Sequence, residues 1–254
     1  MRIQYRPDGN HSRDEILTRL RKQVRLVNCS SSSPNDGVLS TGSEALDRLF
    51  PRQGMSRGSL IEWIGGIGGG AGVLSLGVAR HLLNANCGEI VVIDRQRSFY
   101  PVCAAAWGLD LKRLLVVRPA TAQEELWAYD QCLRSEAVVV VWGYIDRLTS
   151  RNFRRMQLAA EAGRGLGLLI RPPQAANEPT WADVRLQVEP CPSVGHSPRY
   201  RVQVLHCRGG QPGGETILTI DETTGIQAVT HETHHVHLVS SLANPASPLG
   251  QTGT

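Results

Sequence analysis

The chain has 254 residues, of which 41% are hydrophobic, and its formal net charge is +4. This composition allows one large α/β domain with extensions, and it excludes a chain too polar to build a hydrophobic core. The small positive charge is compatible with nucleic acid as a partner but does not indicate it. Lys22 and Lys112 are the only lysines, so arginine supplies the other 25 of the 27 basic side chains.

The sequence has no feature that directs export or membrane insertion. It shows no signal peptide, and no apolar run approaches the length of about 18 residues that a membrane-spanning helix needs. We therefore expect a cytoplasmic protein that makes no contact with a membrane.

Residues 1–28 contain a predicted amphipathic helix. Four apolar residues at helical spacing form one side of it: Ile16, Leu17, Leu20 and Val24. Arg13, Arg19 and Lys22 lie on the opposite side, which is typical of a helix with one buried and one solvated face. Residues 29–37 are rich in Ser, Pro and Gly and predict a flexible linker. On such a tether the helix can dock on a partner or pack on its own domain, and we interpret residues 1–28 as a docking helix.

Residues 38–229 show the alternation of strands and helices that is typical of an α/β domain. Thr41 and Glu44 have the spacing of a capping box, which predicts a short first helix. Helical segments then separate five apolar strand segments: "SLIEWI", "EIVVID", "RLLVVRP", "AVVVVWG" and "GLGLLIRP". Helices of this length between strands predict right-handed crossovers and a mainly parallel sheet. After Pro172, the segments "DVRLQVEP", "RYRVQVLHCR" and "ETILTID" predict C-terminal antiparallel strands.

A glycine-rich turn joins the first strand segment to the following helix. Its sequence, "IGGIGGGAGVLS", spaces Gly65 and Gly70 as in the phosphate loop G-x-x-x-x-G-K-[ST]. Ala71 stands where the lysine belongs and Gly72 where the hydroxyl belongs, so the loop lacks the groups that neutralise phosphate and bind Mg²⁺. The backbone N–H groups can still attract an anion weakly, so residual ATP binding stays open. The degenerate nucleotide-binding site comprises Gly65, Gly68, Gly69, Gly70, Ala71 and Gly72.

Two other interpretations of these glycines remain open. The glycines can simply allow the strand to pack closely against the helix, with no ligand involved. Alternatively, Gly66, Gly68 and Ala71 match the dinucleotide pattern G-x-G-x-x-[GA], and Asp94 at the end of the next strand could bind a ribose. Six glycines make chance matches to this pattern easy, and Asp94 comes later than the pattern requires.

The order of the segments resembles the RecA family. The stretch "LSTGSEALDRLF…GMSRGSLIEWIGG" is similar to the region that leads into the first core strand of RecA, and "VVIDRQRSFYPVCAAAWGLDLKRLLVVRP" is similar to its second strand and the region that follows. Within the RecA superfamily the chain most resembles the ImuA family, through "AAAWGLDLKRLLVVRPATAQEELWAYDQCLRSEA", "RRMQLAAEAGRGLGLLIRPP" and "RYRVQVLHCRGG". The resemblance covers about residues 38–220 and implies a RecA-like core of the P-loop type.

At four positions the sequence departs from the RecA pattern, and each departure removes a group that ATP hydrolysis needs. The lysine and hydroxyl positions of the phosphate loop are Ala71 and Gly72. The resemblance places Gln96 at the catalytic glutamate, and an amide cannot take a proton from water. It places Trp142 at the Walker B aspartate, where an indole cannot help to hold Mg²⁺, and Asp146 is the nearest acid. Together these changes predict a fold that no longer hydrolyses ATP and holds no metal.

The resemblance to the ImuA family implies an accessory protein of DNA-damage-induced mutagenesis and translesion synthesis within the SOS response. It implies RecA, a Y-family-polymerase-like protein and a replicative polymerase paralogue as partners, and a place at the nucleoid after DNA damage. We expect RecA-type interaction surfaces without ATP turnover. Two alternatives remain: a divergent DNA-dependent ATPase of the RecA family, and a dinucleotide-binding oxidoreductase.

The resemblance also suggests where single-stranded DNA would bind. In RecA two loops face the filament axis and bind the strand, and the second follows the core strand that matches "GLGLLIRP". Near that loop Arg171 is the closest cation, and Trp181 is the only aromatic ring on which a base could stack. A cluster of arginines starts the helix near the first loop, although a solvated helix face would explain it as well. The candidate DNA-binding residues are Arg147, Arg151, Arg154, Arg155, Arg171 and Trp181.

Residues 230–254 are predicted to be a disordered tail of histidines and small polar residues. The stretch "HETHH" at 231–235 matches the zinc-protease pattern H-E-x-x-H. That chemistry needs both histidines on one face of a stable helix and a third ligand. Thr230 and Thr233 are poor helix formers, so we expect an exposed tail, with adventitious metal binding as the alternative.

Overall fold

The computed structural model describes residues 37–66, 68–194, 197–221 and 225–228. These residues form an α/β domain around a nine-stranded sheet, and each face of the sheet is covered by a hydrophobic core. The predictions of the docking helix, of the linker up to residue 36 and of the His-rich tail lie outside the described residues.

The strands follow the apolar segments of the sequence. In chain order they are β1 (Val38–Leu39), β2 (Met55–Ser56), β3 (Leu60–Ile64), β4 (Glu89–Ile93), β5 (Leu114–Val117), β6 (Val138–Tyr144), β7 (Leu166–Arg171), β8 (Val184–Val194), β9 (Ser197–Cys207), β10 (Glu215–Asp221) and β11 (Gly225–Ala228). The sequence patterns did not predict β1, β2 and β11, because these strands are too short to show a period. β1 and β2 pair with each other in a separate two-stranded sheet.

The order of strands across the main sheet is β11-β10-β9-β8-β3-β7-β6-β4-β5. Neighbouring strands from β8 to β5 run parallel. The pairs β8–β9, β9–β10 and β10–β11 are antiparallel. The predicted fold class, a mainly parallel α/β sheet with C-terminal antiparallel strands, is therefore confirmed.

Helices connect the parallel strands. They are α1 (Glu44–Asp47), α2 (Ala71–Ala85), α3 (Pro101–Ala106), α4 (Ala122–Leu133) and α5 (Ser150–Gly163), with 3₁₀ turns at Leu111–Arg113 and Pro173–Asn177. The hydroxyls of Thr121 and Thr149 accept hydrogen bonds from the first turns of α4 and α5, which satisfies backbone donors that have no partner within the helix. Across the described ranges, no helix combines the length and apolar character needed to span a membrane.

The short helix after β1 forms, but the predicted capping box is wrong. The N-cap of α1 is Ser43, which makes no side-chain cap bond. Thr41 instead bonds through Oγ1 to the backbone of Ser43, and its own N–H donates to Oδ1 of Asp47 at 2.7 Å. The acid that reaches back over this turn is therefore Asp47 rather than Glu44.

The two faces of the sheet have separate cores. On one face Leu74 of α2 belongs to a cluster with Trp63 and Trp142 of the sheet. On the other face α4 and α5 contribute Tyr129 and Phe153. Burial of a large apolar side chain stabilises a fold by about 1.5–3 kcal/mol relative to its exposure. Because both faces are covered, the central strands are continuous apolar segments rather than alternating ones.

The C-terminal ends of the parallel strands meet at one edge of the sheet. The glycine-rich loop follows β3, Asp94 follows β4, Tyr144 ends β6 and Arg171 ends β7. Ligands of open α/β sheets bind at this edge. The fold therefore brings the glycine-rich loop and the start of α5, which follows β6, to the same edge of the sheet.

Candidate functional site

The glycine-rich loop lies between a strand and a helix, as the sequence predicts. It follows β3 directly, and α2 begins at Ala71 with Gly70 as its N-cap. Gly68 and Gly70 have φ angles of 74° and 92°, in the left-handed region that glycine adopts without strain. The N–H of Gly69 donates to the carbonyl of Gly66 at 2.9 Å, which closes a tight turn. Two left-handed glycines and one tight turn therefore shape the loop between β3 and α2.

Two tyrosines pack directly on this loop and on the start of α2. A Cβ atom built on Gly70 would overlap the ring of Tyr200, and one built on Gly72 would overlap the hydroxyl of Tyr144. Gly72 occupies the position of the metal-binding hydroxyl, so the phenol of Tyr144 lies where that side chain would project. Burial raises the pKa of Tyr144 above its ordinary value, so the phenol is neutral at physiological pH.

Close packing also explains two further glycines of the predicted site. A Cβ atom on Gly65 would lie 2.9 Å from Cβ of Ala71, and one on Gly69 would lie 3.0 Å from the carbonyl oxygen of Gly66. Ala71 itself is 2% exposed. At these positions the structure supports the interpretation that the glycines allow strand, loop and helix to pack closely.

Trp142, which the family resemblance places at the Walker B acid, is a buried ring on β6. It is 5% exposed, and its indole N–H donates to Oγ of Ser75 on α2 at 2.9 Å. Its ring meets those of Tyr144 and Phe99, with centroids 5.5 Å and 5.8 Å away. We call Phe99, Trp142 and Tyr144 the aromatic cluster. Its members are neutral, so it offers no ligand for Mg²⁺.

Gln96, which the family resemblance places at the catalytic glutamate, forms a hydrogen bond with Asp146, the acid nearest to the Walker B position in sequence. Its amide donates to Oδ2 of Asp146 at 3.1 Å. Arg95 pairs with Glu125 at 2.8 Å and also approaches Asp146 at 3.9 Å. Burial raises the pKa of Glu125, and the pairing with Arg95 opposes that shift. In the part of the chain that the structure describes, no group of three or more His, Cys, Asp or Glu side chains could hold a metal ion.

Asp94, the acid of the dinucleotide interpretation, is committed to the backbone around it. Its Oδ1 accepts hydrogen bonds from the N–H groups of Ser98 and Phe99 at 2.8 Å and 3.2 Å. Its Oδ2 pairs with Arg118 at 3.2 Å, and the residue is 5% exposed. These contacts shape the turn after β4, so this carboxylate does not face an open ribose site.

The predicted basic cluster lies at and before the start of α5. Arg147, Arg151 and Arg155 are exposed, and Arg154 is half-buried. The guanidinium of Arg154 lies over the ring of Trp181, 5.1 Å from its centroid, and Trp181 is 44% exposed. Arg155 also pairs with Asp130 at 3.5 Å. We call these four arginines and Trp181 the basic platform, because the fold brings the two predicted regions together.

Arg171 is a correction to the predicted DNA-binding set. It is 1% exposed, and its guanidinium donates to Glu62 at 3.0 Å and to Glu178 at 2.6 Å. Its carbonyl accepts the N–H of Gly65 at 3.1 Å. A buried cation with two acidic partners is part of the interior, so Arg171 is not available to a DNA strand.

The carboxylate that holds Arg171 was not predicted as a functional residue. Glu62 is 0% exposed and lies in the middle of β3, where Arg171, Arg185 and Thr180 all donate to it. A single acid inside the apolar segment "SLIEWI" is the signal that could have revealed it. A buried carboxylate is costly unless it is paired, so such a residue implies cationic neighbours from elsewhere in the fold.

Comparison with known proteins agrees with this architecture. The family model of the RecA N-terminal domain matches residues 19–154, which is more than half of the chain. The chain belongs to the RecA N-terminal domain family. The family resemblance and the fold class inferred from the sequence are both confirmed.

Individual relatives of this RecA-family chain include Protein ImuA and RecA itself. Protein ImuA of Caulobacter vibrioides is 27% identical over 228 residues, which cover 82% of this chain and 91% of that protein. Protein RecA of Deinococcus radiodurans is 34% identical over 115 residues, which cover 45% of this chain and 31% of that protein. The crystal structure of the RadB recombinase superposes with a TM-score of 0.61 at 18% identity, over 76% of this chain and all of that one.

Proposed function

We propose that this RecA-family chain is an accessory protein of DNA-damage-induced mutagenesis and translesion synthesis, and that it works without hydrolysing ATP. Its membership of the RecA N-terminal domain family supports a RecA-like role. The similarity to Protein ImuA along 91% of that protein supports a place in damage-induced mutagenesis. The chain would then offer surfaces of the RecA type without a nucleotide cycle that switches them.

The observation that carries the loss of hydrolysis is the aromatic cluster at the nucleotide site. Phosphoryl transfer needs a cation on the phosphates, a metal ion and a group that orients water. In place of the acid that would hold the metal, Trp142 donates to Ser75, and the hydroxyl of Tyr144 fills the space beside Gly72. Missing side chains alone could be replaced by neighbours, but a ring packed into the site also removes the space for a metal.

We propose that the basic platform binds single-stranded DNA. Trp181 supplies an exposed ring for stacking, and the arginines around it supply charge for phosphates. Among the described residues, neither Arg147 nor Arg151 is paired with a carboxylate, so both cations can meet a phosphate at low cost. Such binding would be weak, salt-sensitive and independent of sequence.

We propose RecA and a Y-family-polymerase-like protein as the protein partners, with residues 1–28 as the segment that docks. The apolar side of the predicted helix would bury four residues on the partner, worth several kcal/mol in transfer free energy, roughly 1.5–3 kcal/mol for each. Ordering the linker would offset part of this gain. The protein would act in the cytoplasm and join the nucleoid after DNA damage.

ATP turnover by the purified full-length chain tests the proposal. Wild type is assayed with and without single-stranded DNA beside Gly68→Asp, which adds a negative charge to the loop at a left-handed position that Asp tolerates. We expect equal background rates for the two proteins, and binding of a fluorescent ATP analogue no tighter to wild type than to the variant. DNA-stimulated turnover that only wild type shows would overturn the proposal and favour a divergent DNA-dependent ATPase.

A further inference from the structure

The loop that carries Trp181 is anchored to three buried, charged side chains. Glu62, Arg171 and Arg185 are 0%, 1% and 3% exposed. They project from the adjacent strands β3, β7 and β8, where Glu62 is in register with Arg185. Arg171 donates to Oε1 of Glu62 at 3.0 Å, and Arg185 donates to Oε2 at 2.6 Å. We call these three residues the buried network.

The buried network holds the loop through its backbone and side chains. Arg185 donates to the carbonyl oxygens of Ala176 and Glu178 at 3.1 Å and 2.8 Å. Arg171 donates to the carboxylate of Glu178 at 2.6 Å. Because an unpaired buried charge is costly, each of these hydrogen bonds is hard to give up while the rest of the network stays in place.

Thr180 links the buried network to the residue beside it. Its hydroxyl donates to Oε2 of Glu62 at 2.7 Å and accepts the N–H of Ala182 at 2.9 Å. Ala182 is 2% exposed. The backbone of Trp181 is therefore tied down on both sides, while its ring is 44% exposed next to Arg154.

We infer that Thr180, anchored on the buried network, is a positioning residue that presents the ring of Trp181 to a base of single-stranded DNA. The inference rests on the proposed DNA-binding function of the basic platform. Since these hydrogen bonds are all internal to the protein, the ring is in position before DNA binds and without any nucleotide. A ring already held in place avoids the entropy cost of ordering it on binding.

Four variants of the full-length chain test this inference: Thr180→Val, Thr180→Ser, Glu178→Gln and Trp181→Ala. Thr180→Val has nearly the volume of threonine but removes both hydrogen bonds, whereas Thr180→Ser keeps them. Affinity is measured by the fluorescence anisotropy of a labelled oligothymidine at several salt concentrations. The ring is observed by ¹⁹F NMR of protein containing 5-fluorotryptophan, with the Trp181 resonance assigned by its absence from Trp181→Ala.

We expect Trp181→Ala to weaken binding about tenfold, which corresponds to one stacked base. Thr180→Val should weaken it about fivefold, as expected when hydrogen bonds that position a group are removed, and should shift or broaden the Trp181 resonance. Its salt dependence should match that of wild type, because every arginine is retained. Thr180→Ser should bind as wild type does, and Glu178→Gln, which alters the network from its half-exposed end, should weaken binding about twofold.

The outcomes separate this inference from the function on which it rests. Normal affinity of Thr180→Val beside weakened Trp181→Ala, or a weakened Thr180→Val whose Trp181 resonance is unchanged, would overturn the positioning role alone. Normal affinity of Trp181→Ala beside weaker binding on replacing the four arginines would remove the stacking role and the inference with it. If neither the ring nor the arginines affect binding, the DNA-binding proposal fails. If Thr180→Val does not fold, the affinity and the Trp181 resonance of Glu178→Gln test the positioning role in its place.

Discussion

The aromatic cluster and the buried network lie on nearby strands of the main sheet but differ in how they use charge. At the aromatic cluster, the neutral ring of Trp142 stands at the position that the family resemblance assigns to an acid, and it packs against Phe99 and Tyr144. At the buried network, two arginines and a glutamate remain fully inside the domain. The contrast teaches that one sheet can pack neutral rings at one place and hold a loop with buried charges at another.

The two regions also differ in what stabilises them. Burial of an aromatic ring stabilises the fold, at about 1.5–3 kcal/mol for a large apolar side chain. Replacing one ring of the cluster leaves no unpaired charge in the interior. An ion network gains little overall, because the loss of hydration offsets the attraction, yet it destabilises the fold strongly when one partner is removed. Substitutions in the two regions should therefore destabilise the domain by different amounts and for different reasons.

The largest expected effect is that of Glu62→Gln. The change leaves Arg171 and Arg185 buried without the carboxylate between them, and we expect a decrease of about 3–5 kcal/mol in the free energy of unfolding. Urea unfolding followed by circular dichroism measures it. Glu189→Gln is the matched control, because Glu189 is half-exposed and pairs with Arg201 only at 3.9 Å, so it should cost less than about 1 kcal/mol. Equal decreases for the two variants would show that the buried network contributes no more to stability than an exposed ion pair does.

The next effect concerns two glycines of the glycine-rich loop, Gly70 and Gly68. Gly70→Ala combines a left-handed φ of 92° with overlap of the Tyr200 ring, so we expect a decrease of about 3 kcal/mol in the free energy of unfolding from overpacking and backbone strain. Gly68→Ala has a similar φ of 74° but open space around its Cβ, so it should cost only about 1 kcal/mol. Adding Tyr200→Ala should lessen the cost of Gly70→Ala. A cost that the tyrosine change leaves unaltered would contradict the packing interpretation.

Replacing the four arginines of the basic platform should act on DNA binding and leave the fold largely unchanged. For Arg147, Arg151, Arg154 and Arg155 changed together to Gln, the slope of log affinity against log salt should fall by about 0.7 for each phosphate that is no longer neutralised. Anisotropy titrations between low and physiological salt measure the slope. Arg52→Gln combined with Arg57→Gln changes exposed arginines elsewhere and should leave it as it is. An unchanged slope in the fourfold variant would exclude the platform as the DNA site.

The smallest expected effect on stability is that of deleting residues 1–28. A segment that docks on a partner, as we propose for residues 1–28, does not hold its own domain together, so the midpoint of thermal unfolding should stay within about 2 °C. Binding to the proposed partners, RecA and a Y-family-polymerase-like protein, should weaken, as measured by pull-down and by surface plasmon resonance with the same preparations. A collapse of the core after the deletion would mean that the predicted helix packs inside its own domain.

The sequence by itself determined the fold class and the departure from the nucleotide-site pattern. Both depend on short-range patterns: apolar strands alternate with helices, and Ala71, Gly72, Gln96 and Trp142 can be identified from their place in a strand or turn. The parallel direction of the core strands follows from the connections, because each helix returns the chain to the end of the sheet at which the previous strand began. These features can be identified from the sequence because the residues that define them are neighbours along the chain.

Only the tertiary structure decided which side chains meet. Arg171 looked like a free cation near a DNA loop, but β7 lies next to β3, whose Glu62 is 109 residues away in sequence, and the pair is buried. Tyr200 covers Gly70 because the strand that carries it, β9, lies two strands from β3. Arg154 and Trp181 form one surface although the sequence separates them by a strand and a loop. Such meetings depend on strand order and register across the whole sheet, and no local pattern of residues encodes them.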